Sequence, residues 1–441
     1  MGASTPEPLH VAIIGAGITG VNLALGLLAR GVSFTLYERA PCFGEIGAGI
    51  GFSPNAERAM GALSPDVLAA FKRVANPNGE DYFQWVDGYG SGKLFFKLHV
   101  GKDGFQGGRR SDILDAWAKL VPPDTVQFGK EIDTITQPPS THKLRLHFKD
   151  GSTADADAVI GCDGIRSRVR HLLLPPSSPA IQPGYTRKFC FRALAPLSAA
   201  IAAIGEHAST TRFMYIGPGA HVITYPVANN TLLNILAVLS EPDSGSESGS
   251  GSGSDWPHAS HTHTAPGHKR QAAAAFRGWH ETVRGIVDLF PDEMEKWAIF
   301  DMAAHPAPAY TKGRVCVAGD AAHATGPHLG AGGGMGIEDA LALAALMEEV
   351  KKRVEQKGGE EKKGELVERA LEVYEEVRYT RTQEVVKATR EACDLFHWRD
   401  ERGRDPERFG REITEKFHRI WNYDVDEMVE EALELLDQRA A

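Results

Sequence analysis

Apolar residues recur along this chain in two rhythms that replace one another. Val11 to Ile14 is a short unbroken apolar run ending at Gly15, and Val21, Leu23, Leu25, Leu27 and Leu28 follow the glycines. This predicts strand, tight turn and helix, and Phe34 to Tyr37 predicts the next strand, ending at Glu38. Ala158 to Gly161 and Arg314 to Ala318 are further strands, and Ile337 to Met347 is an apolar helical run. Between Tyr185 and Leu239 the pattern turns to closely spaced strands: Lys188 to Leu194, Thr211 to Ile216, His221 to Val227 and Leu232 to Leu239. Gly217-Pro218-Gly219 and Asn229-Asn230 supply turns, so this stretch predicts an antiparallel sheet. From Glu348 onward Val350, Val354, Leu366, Leu371, Val373 and Val377 stand at helical spacing among charges, with a break near Gly358-Gly359 and a similar tail at Met428 to Leu436. These are amphipathic helices whose apolar faces pack on the chain's own first domain or on a second copy, which leaves monomer or homodimer open.

Composition narrows the class. A chain of 441 residues buries a large core and accommodates more than one domain. With 48 Lys plus Arg against 58 Asp plus Glu, the net charge of −10 and the lack of a basic stripe argue against a nucleic-acid partner. Cys42, Cys162, Cys190, Cys316 and Cys393 are widely spaced and form no C-x-x-C pair, as expected of free thiols in a reducing, cytoplasmic setting. No apolar run has membrane-spanning length, and the residues before Val11 lack a secretory signal pattern. Glu241 to His268 is dense in Ser and Gly and carries His258, His261, His263 and His268; it reads as a flexible surface insertion rather than a metal site. No metal is expected.

The turn Gly15-Ala-Gly17-Ile-Thr-Gly20 carries the first chemical signal. Gly15 permits the turn, Gly17 admits a pyrophosphate, and Gly20 lets helix and strand pack closely, while Glu38 is placed to accept hydrogen bonds from a ribose. That pattern suits NAD and FAD equally, since both carry an ADP half. Cys162-Asp163-Gly164-Ile-Arg-Ser167 and Gly319-Asp320-Ala-Ala-His323 decide for FAD, each following a strand. Asp320 is placed to accept from ribityl hydroxyls, and the loop Gly326 to Gly336 leads into a helix whose N-terminus suits the pyrimidine edge of a flavin. Arg166, Arg168 and Arg170 alternate, as either a phosphate contact or a solvated face.

On these three motifs, from about Leu9 to Cys393, the chain resembles the class A flavoprotein monooxygenases, single-component FAD and NAD(P)H aromatic hydroxylases. Glu45-Ile-Gly-Ala-Gly-Ile-Gly51-Phe-Ser-Pro-Asn55 is similar to the salicylate-hydroxylase-like branch, and in particular to fungal enzymes that hydroxylate and dearomatise polyketide phenols. The resemblance implies an α/β fold: a Rossmann-like FAD domain of the para-hydroxybenzoate hydroxylase type, with an inserted antiparallel substrate sheet and C-terminal helices. It divides the chain into 9–180 with 300–350 for FAD, 181–299 for substrate with the insertion 241–268, and a helical 351–441. It implies that Gly51 lies against the cofactor, that Arg110 rather than Arg109 reaches the flavin or its pyrophosphate, that Asp320 and Gly333 complete the site, and that Asp163 serves both FAD and the nicotinamide donor. His323 and His328 become cofactor neighbours.

Arg192 and Tyr225 align with an arginine and a tyrosine that hold the phenolate in the dearomatising enzymes. Physical chemistry agrees: a flavin hydroperoxide is an electrophile, a guanidinium in a dry pocket lowers a phenol's pKa, and a tyrosine hydroxyl donates to the phenolate. The implied activity is hydroxylation of a phenolic, polyketide-derived small molecule with O2 and NADPH or NADH, with or without dearomatisation, in secondary metabolism. The alternatives are a salicylate-type catabolic hydroxylase, an FAD epoxidase or, in another class, a non-catalytic flavin-fold escort protein.

Overall fold

The computed structural model describes residues 7–44, 48–101, 104–139, 141–241, 263–357 and 360–440. The Glu45 to Gly47 end of the motif around Gly51, the Gly358-Gly359 break and most of the Ser/Gly/His-rich insertion lie outside them. Among the described residues no helix is long and apolar enough to cross a membrane.

The apolar runs build a six-stranded sheet in the order Thr311–Lys312, Val315–Val317, Ala158–Gly161, His10–Ile14, Ser33–Glu38, Val126–Phe128. His10–Ile14 lies parallel to both neighbours, so the chain leaves the middle in one direction and later returns on the other side. That reversal puts a crevice at the carboxyl ends of His10–Ile14 and Ala158–Gly161, where open parallel sheets bind ligands. Helices Ile18–Ala29 and Gly332–Lys357 cover the sheet, and Val21, Leu23, Leu27, Leu343 and Leu346 are fully buried. Helix Glu360–Phe396 packs on the same core through Val367, Leu371, Val373 and Tyr374, and through Val385, Val386, Leu395 and Phe396 on a second apolar cluster.

The second sheet has eight strands: Thr264–His268, Glu293–Asp301, Gly184–Pro196, Leu232–Ser240, Ala220–Val227, Phe213–Gly217, Tyr82–Asp87 and Leu94–His99. Its centre is the antiparallel set expected from the sequence, but three corrections follow. Tyr82–Asp87 and Leu94–His99, from the stretch assigned to the FAD part, complete the sheet, and Tyr82–Asp87 joins Phe213–Gly217 in parallel. Thr264–His268, assigned to the flexible insertion, is an ordered edge strand paired with Glu293–Asp301. The boundary at 350 falls inside helix Gly332–Lys357. In each case a long-range pairing or a continuous helix overrides a boundary drawn from local composition.

A two-stranded ribbon, Gly49–Phe52 with Gln106–Arg109, bridges the two sheets, and the Gly49 N–H donates to the Asn234 side-chain oxygen at 2.9 Å.

Candidate active site

The first glycine turn is built as its sequence requires. Gly15 has φ +101°, and a Cβ there would stand 2.6 Å from the Cys162 carbonyl oxygen, so strand ends meet where only glycine fits. A Cβ on Gly20 would lie 1.9 Å from the Gly15 carbonyl oxygen, whereas one on Gly17 would meet nothing within 4 Å. Gly17 therefore opens onto a cavity of about 310 Å³, lined also by Gly15, Glu38 and Asp163. Glu38 accepts the Ala16 and Ala40 N–H groups at 2.8 Å each, tying the turn to the second strand, and each oxygen keeps a further lone pair for a ribose hydroxyl. Gly20→Ala is expected to push the turn out of place, lowering FAD affinity at least about 10-fold and the melting temperature with it; titration of apoprotein with FAD, followed by quenching of flavin fluorescence, measures this.

Asp163 lines the same cavity, but its carboxylate is engaged by its own turn. It accepts from Ser167 Oγ at 2.5 Å, the Arg168 N–H at 2.6 Å and the Val169 N–H at 3.1 Å, capping helix Arg168–Leu173. Burial raises its pKa against these hydrogen bonds. The structure thus gives the carboxylate a capping role and leaves the backbone of Asp163-Gly164 facing the cavity. The alternating arginines do not form one solvated face. Arg166 and Arg168 line the cavity, while Arg170 is fully buried and donates to the carbonyls of Ile165, Ile181 and Ala321. Arg170 therefore joins the Asp163 motif to the Asp320 motif.

Asp320 begins the short helix Asp320–His323 beyond Val315–Val317, and its exposed carboxylate accepts no hydrogen bond from the described residues. It lines a second cavity of about 260 Å³ together with Gly51, Arg110, Gly333 and the Thr325–Gly332 loop. Helix Gly332–Lys357 starts at this wall, so its first N–H groups and positive dipole end lie there. Thr325 Oγ1 is buried on the same loop without a partner. Arg109 is committed to Asp112 through Nε at 2.9 Å and Nη2 at 2.6 Å, whereas Arg110 lines the cavity. A Cβ on Gly51 would strike the Phe105 ring at 2.0 Å.

These residues fit FAD. The open face at Gly17, the unengaged Asp320 carboxylate and the helix start suit, in turn, a pyrophosphate, ribityl hydroxyls and an electron-rich pyrimidine edge.

The turn carrying Asp320 is held from behind by a fully buried ion cluster. Asp339 accepts the Gly319 N–H at 2.8 Å, His323 Nε2 at 2.6 Å and Arg378 Nε at 2.8 Å. Arg378 also reaches Glu338 at 2.7 Å, and Glu338 accepts from Asn55 at 2.6 Å. His323 is thus a buried support of the turn rather than a cofactor contact, while His328 lines the cavity. Burial, with His221 and Lys188 nearby, holds the His328 pKa well below its ordinary value, so it is neutral.

The second cavity is roofed by one face of the eight-stranded sheet. Arg192 pairs with Leu236, which pairs with Ile223; two residues along, Leu194 pairs with Asn234, which pairs with Tyr225. Side chains on a strand alternate faces, so Arg192, Leu236, Ile223, Asn234 and Tyr225 all point to the cavity. Arg192 is half-buried with its guanidinium 5.0 Å from the Trp297 ring centroid. Tyr225 is buried; burial pushes its pKa up to about 12 against the pull of Arg212 and Arg192, so its hydroxyl is a donor at neutral pH. Sequence reading missed Arg212 and Asn234, which share this wall. Alternation in the Thr211 to Ile216 run puts Arg212 on one face with Met214 and Ile216, but that this face lines the cavity follows only from the register against Tyr225 and Asn234.

A switch-point crevice suited to a dinucleotide, with a second cavity between Asp320 and the eight-stranded sheet, defines a flavoenzyme. The comparisons carry this further. Residues 254–389 match the FAD binding domain family. The chain is 46% identical to the FAD-dependent monooxygenase orf3 of Aspergillus niger, over 99% of this chain and 98% of that protein. It is also 46% identical to the FAD-dependent monooxygenase pigN of Monascus ruber, over 98% of each. A solved structure described as a salicylate hydroxylase substrate complex superposes with a TM-score of 0.80 at 31% identity, covering 96% of this chain and 98% of that one. The chain belongs to the class A FAD-dependent monooxygenases, the salicylate-hydroxylase-like aromatic hydroxylases, and FAD is its cofactor.

Proposed function

We propose that this monooxygenase hydroxylates a phenolic, polyketide-derived aromatic in secondary metabolism, using NAD(P)H and O2. The observation that carries the reading is that Arg192 and Tyr225 share one cavity with Asp320 and the Gly333 helix start. The salicylate hydroxylase to which the chain is similar acts, by its name, on a phenolic acid. Bound FAD, once reduced by the nicotinamide, supplies the activation of O2, of which one oxygen enters the substrate and the other leaves as water. The chain's own residues do the rest. Arg192 favours the ionised phenol, whose ring is far richer in electrons; Tyr225 donates to the phenolate or an adjacent carbonyl; and the sheet excludes water. If the attacked carbon bears an alkyl group the product is a dienone; if it bears hydrogen, the product is a catechol from ortho attack or a hydroquinone from para attack.

The test is a panel of alkylated resorcinols and salicylates offered to the FAD-loaded enzyme with NADPH and with NADH. The expected result is substrate-stimulated coenzyme oxidation with a product that has gained one oxygen atom, about 16 mass units heavier where the attacked carbon bears hydrogen or alkyl, and that has also lost CO2 where it bears the carboxylate. Coenzyme oxidation that no phenol stimulates would contradict the reading.

A further inference from the structure

Arg212 is 2% exposed, and its Nε and Nη1 are buried without a hydrogen-bond partner. Among the described residues no carboxylate pairs with it. Buried cations are ordinarily paired, because the lost hydration must be replaced. Here rings stand in: the guanidinium carbon lies 3.4 Å from the Phe105 centroid and 4.9 Å from those of Phe83 and Tyr225. Rings favour the positive charge but do not replace in-plane acceptors for the guanidinium N–H groups. Burial lowers its pKa to about 9, with Tyr225 opposing, so at neutral pH it is a cation.

Its place in the sheet gives it a target. Phe213 pairs with Thr224, so Arg212 falls opposite Tyr225 in the continued register, on the face that carries Arg192. The strands of Arg192 and Arg212 stand three spacings apart, roughly 14 Å, with the strand of Tyr225 between them. Both guanidiniums line the same cavity. A single phenolate held at Arg192 leaves the Arg212 end unmatched.

We propose that Arg212 is a second anion-binding subsite of the substrate pocket, taking a further acidic oxygen, carboxylate or ionised hydroxyl, on the edge of the ring remote from the phenolate at Arg192. This rests on the phenol-hydroxylase reading and narrows it: the substrate is an aromatic with two acidic groups across the ring.

The test uses FAD-loaded enzyme and two probes of one shape and different charge, 2,4-dihydroxybenzoate and 2,4-dihydroxybenzamide, with Kd read from the perturbed visible spectrum of the flavin. The wild type is expected to favour the acid about 30-fold, the scale of a charge-assisted hydrogen-bond pair. Arg212→Met is expected to bring that preference to within about 3-fold while FAD affinity and melting temperature stay at the wild-type level, since removing an unmatched buried charge costs little. Arg212→Lys, which keeps the charge, is expected to retain most of the preference. A wild type without preference overturns the proposal, even if Arg212→Met fails to fold. So does an Arg212→Met enzyme that keeps the preference, or one that loses FAD instead. If neither probe perturbs the wild-type flavin and no phenol stimulates coenzyme oxidation, the parent reading has failed, a result separate from a change in the ratio.

Discussion

Arg378→Ala is expected to lower the melting temperature by on the order of 10 °C and to weaken FAD binding in the protein that still folds. Arg378, Glu338 and Asp339 are all fully buried, and the guanidinium spans both carboxylates. Removing it leaves Asp339 with His323 and Glu338 with Arg381 at 3.3 Å, a charge deficit in a dry interior. Breaking such a cluster from one side costs about 3–5 kcal/mol, against a total stability of roughly 5–15 kcal/mol. The flavin consequence follows from geometry, because Asp339 also accepts the Gly319 N–H that sets the turn before Asp320. Thermal melting of the FAD-loaded and FAD-free forms separates the two effects; a melting temperature within about 2 °C of wild type would show that the cluster is dispensable. Arg378→Lys is not expected to rescue, since an ammonium does not reproduce the fork that reaches two carboxylates.

The same cluster fixes the direction of the acid response. Burial alone would raise the Asp339 carboxyl, but His323 and Arg378 outweigh it and hold its pKa below the ordinary carboxylate range. A depressed folded-state pKa means that this stabilisation is complete above the unfolded value, about 3.9, and is lost as pH falls through the folded one. Wild-type stability should therefore decline below about pH 4 more steeply than that of Arg378→Ala, from which much of the linkage has been removed.

The sheet strands were legible because their apolar runs are unbroken or alternate cleanly: Ala158–Gly161 is found as written, and Lys188 to Leu194 lies inside Gly184–Pro196. The glycine turn was legible because three steric demands, at Gly15, Gly17 and Gly20, coincide in six residues. Partnership across long sequence separation was not. Nothing local at Tyr82–Asp87 says that it pairs in parallel with Phe213–Gly217, and nothing in the charged run around Arg378 says that this arginine turns inward to Glu338 and Asp339. Arg212 was hidden for a related reason. Its face is fixed only once the register against Tyr225 is known, and one charged residue at a strand start otherwise looks like an edge. Asp163 shows the converse, where a motif carboxylate that reads as a ligand contact is consumed by its own helix cap.

Arg192→Ala is expected to cut hydroxylation of a phenolic substrate by about 100-fold or more while FAD stays bound, the scale seen when one charge-stabilising group is removed from a reacting site. The guanidinium sits at the cavity wall beside Trp297 and makes none of the contacts at the glycine turn or the Asp320 loop, so the loss should fall on product formation and not on flavin content. Its assigned work is to hold the substrate as a phenolate. Without it, ionisation must come from solvent pH, so the Arg192→Ala enzyme should recover activity as pH rises toward the phenol's own pKa, near 10. The wild type should vary little up to about pH 8, and the comparison is read there, because Arg212, its pKa lowered by burial to about 9, loses its charge above that. Tyr225 does not confuse the measurement, because burial, opposed by Arg212 and Arg192, puts its pKa at about 12 and keeps it a donor throughout. Arg192→Lys, which restores a cation without the planar fork, should lie between the two. An Arg192→Ala enzyme whose turnover matches the wild type at neutral pH, or whose loss is the same at every pH, would remove Arg192 from the phenolate site and leave ionisation to Arg212 or to the free substrate.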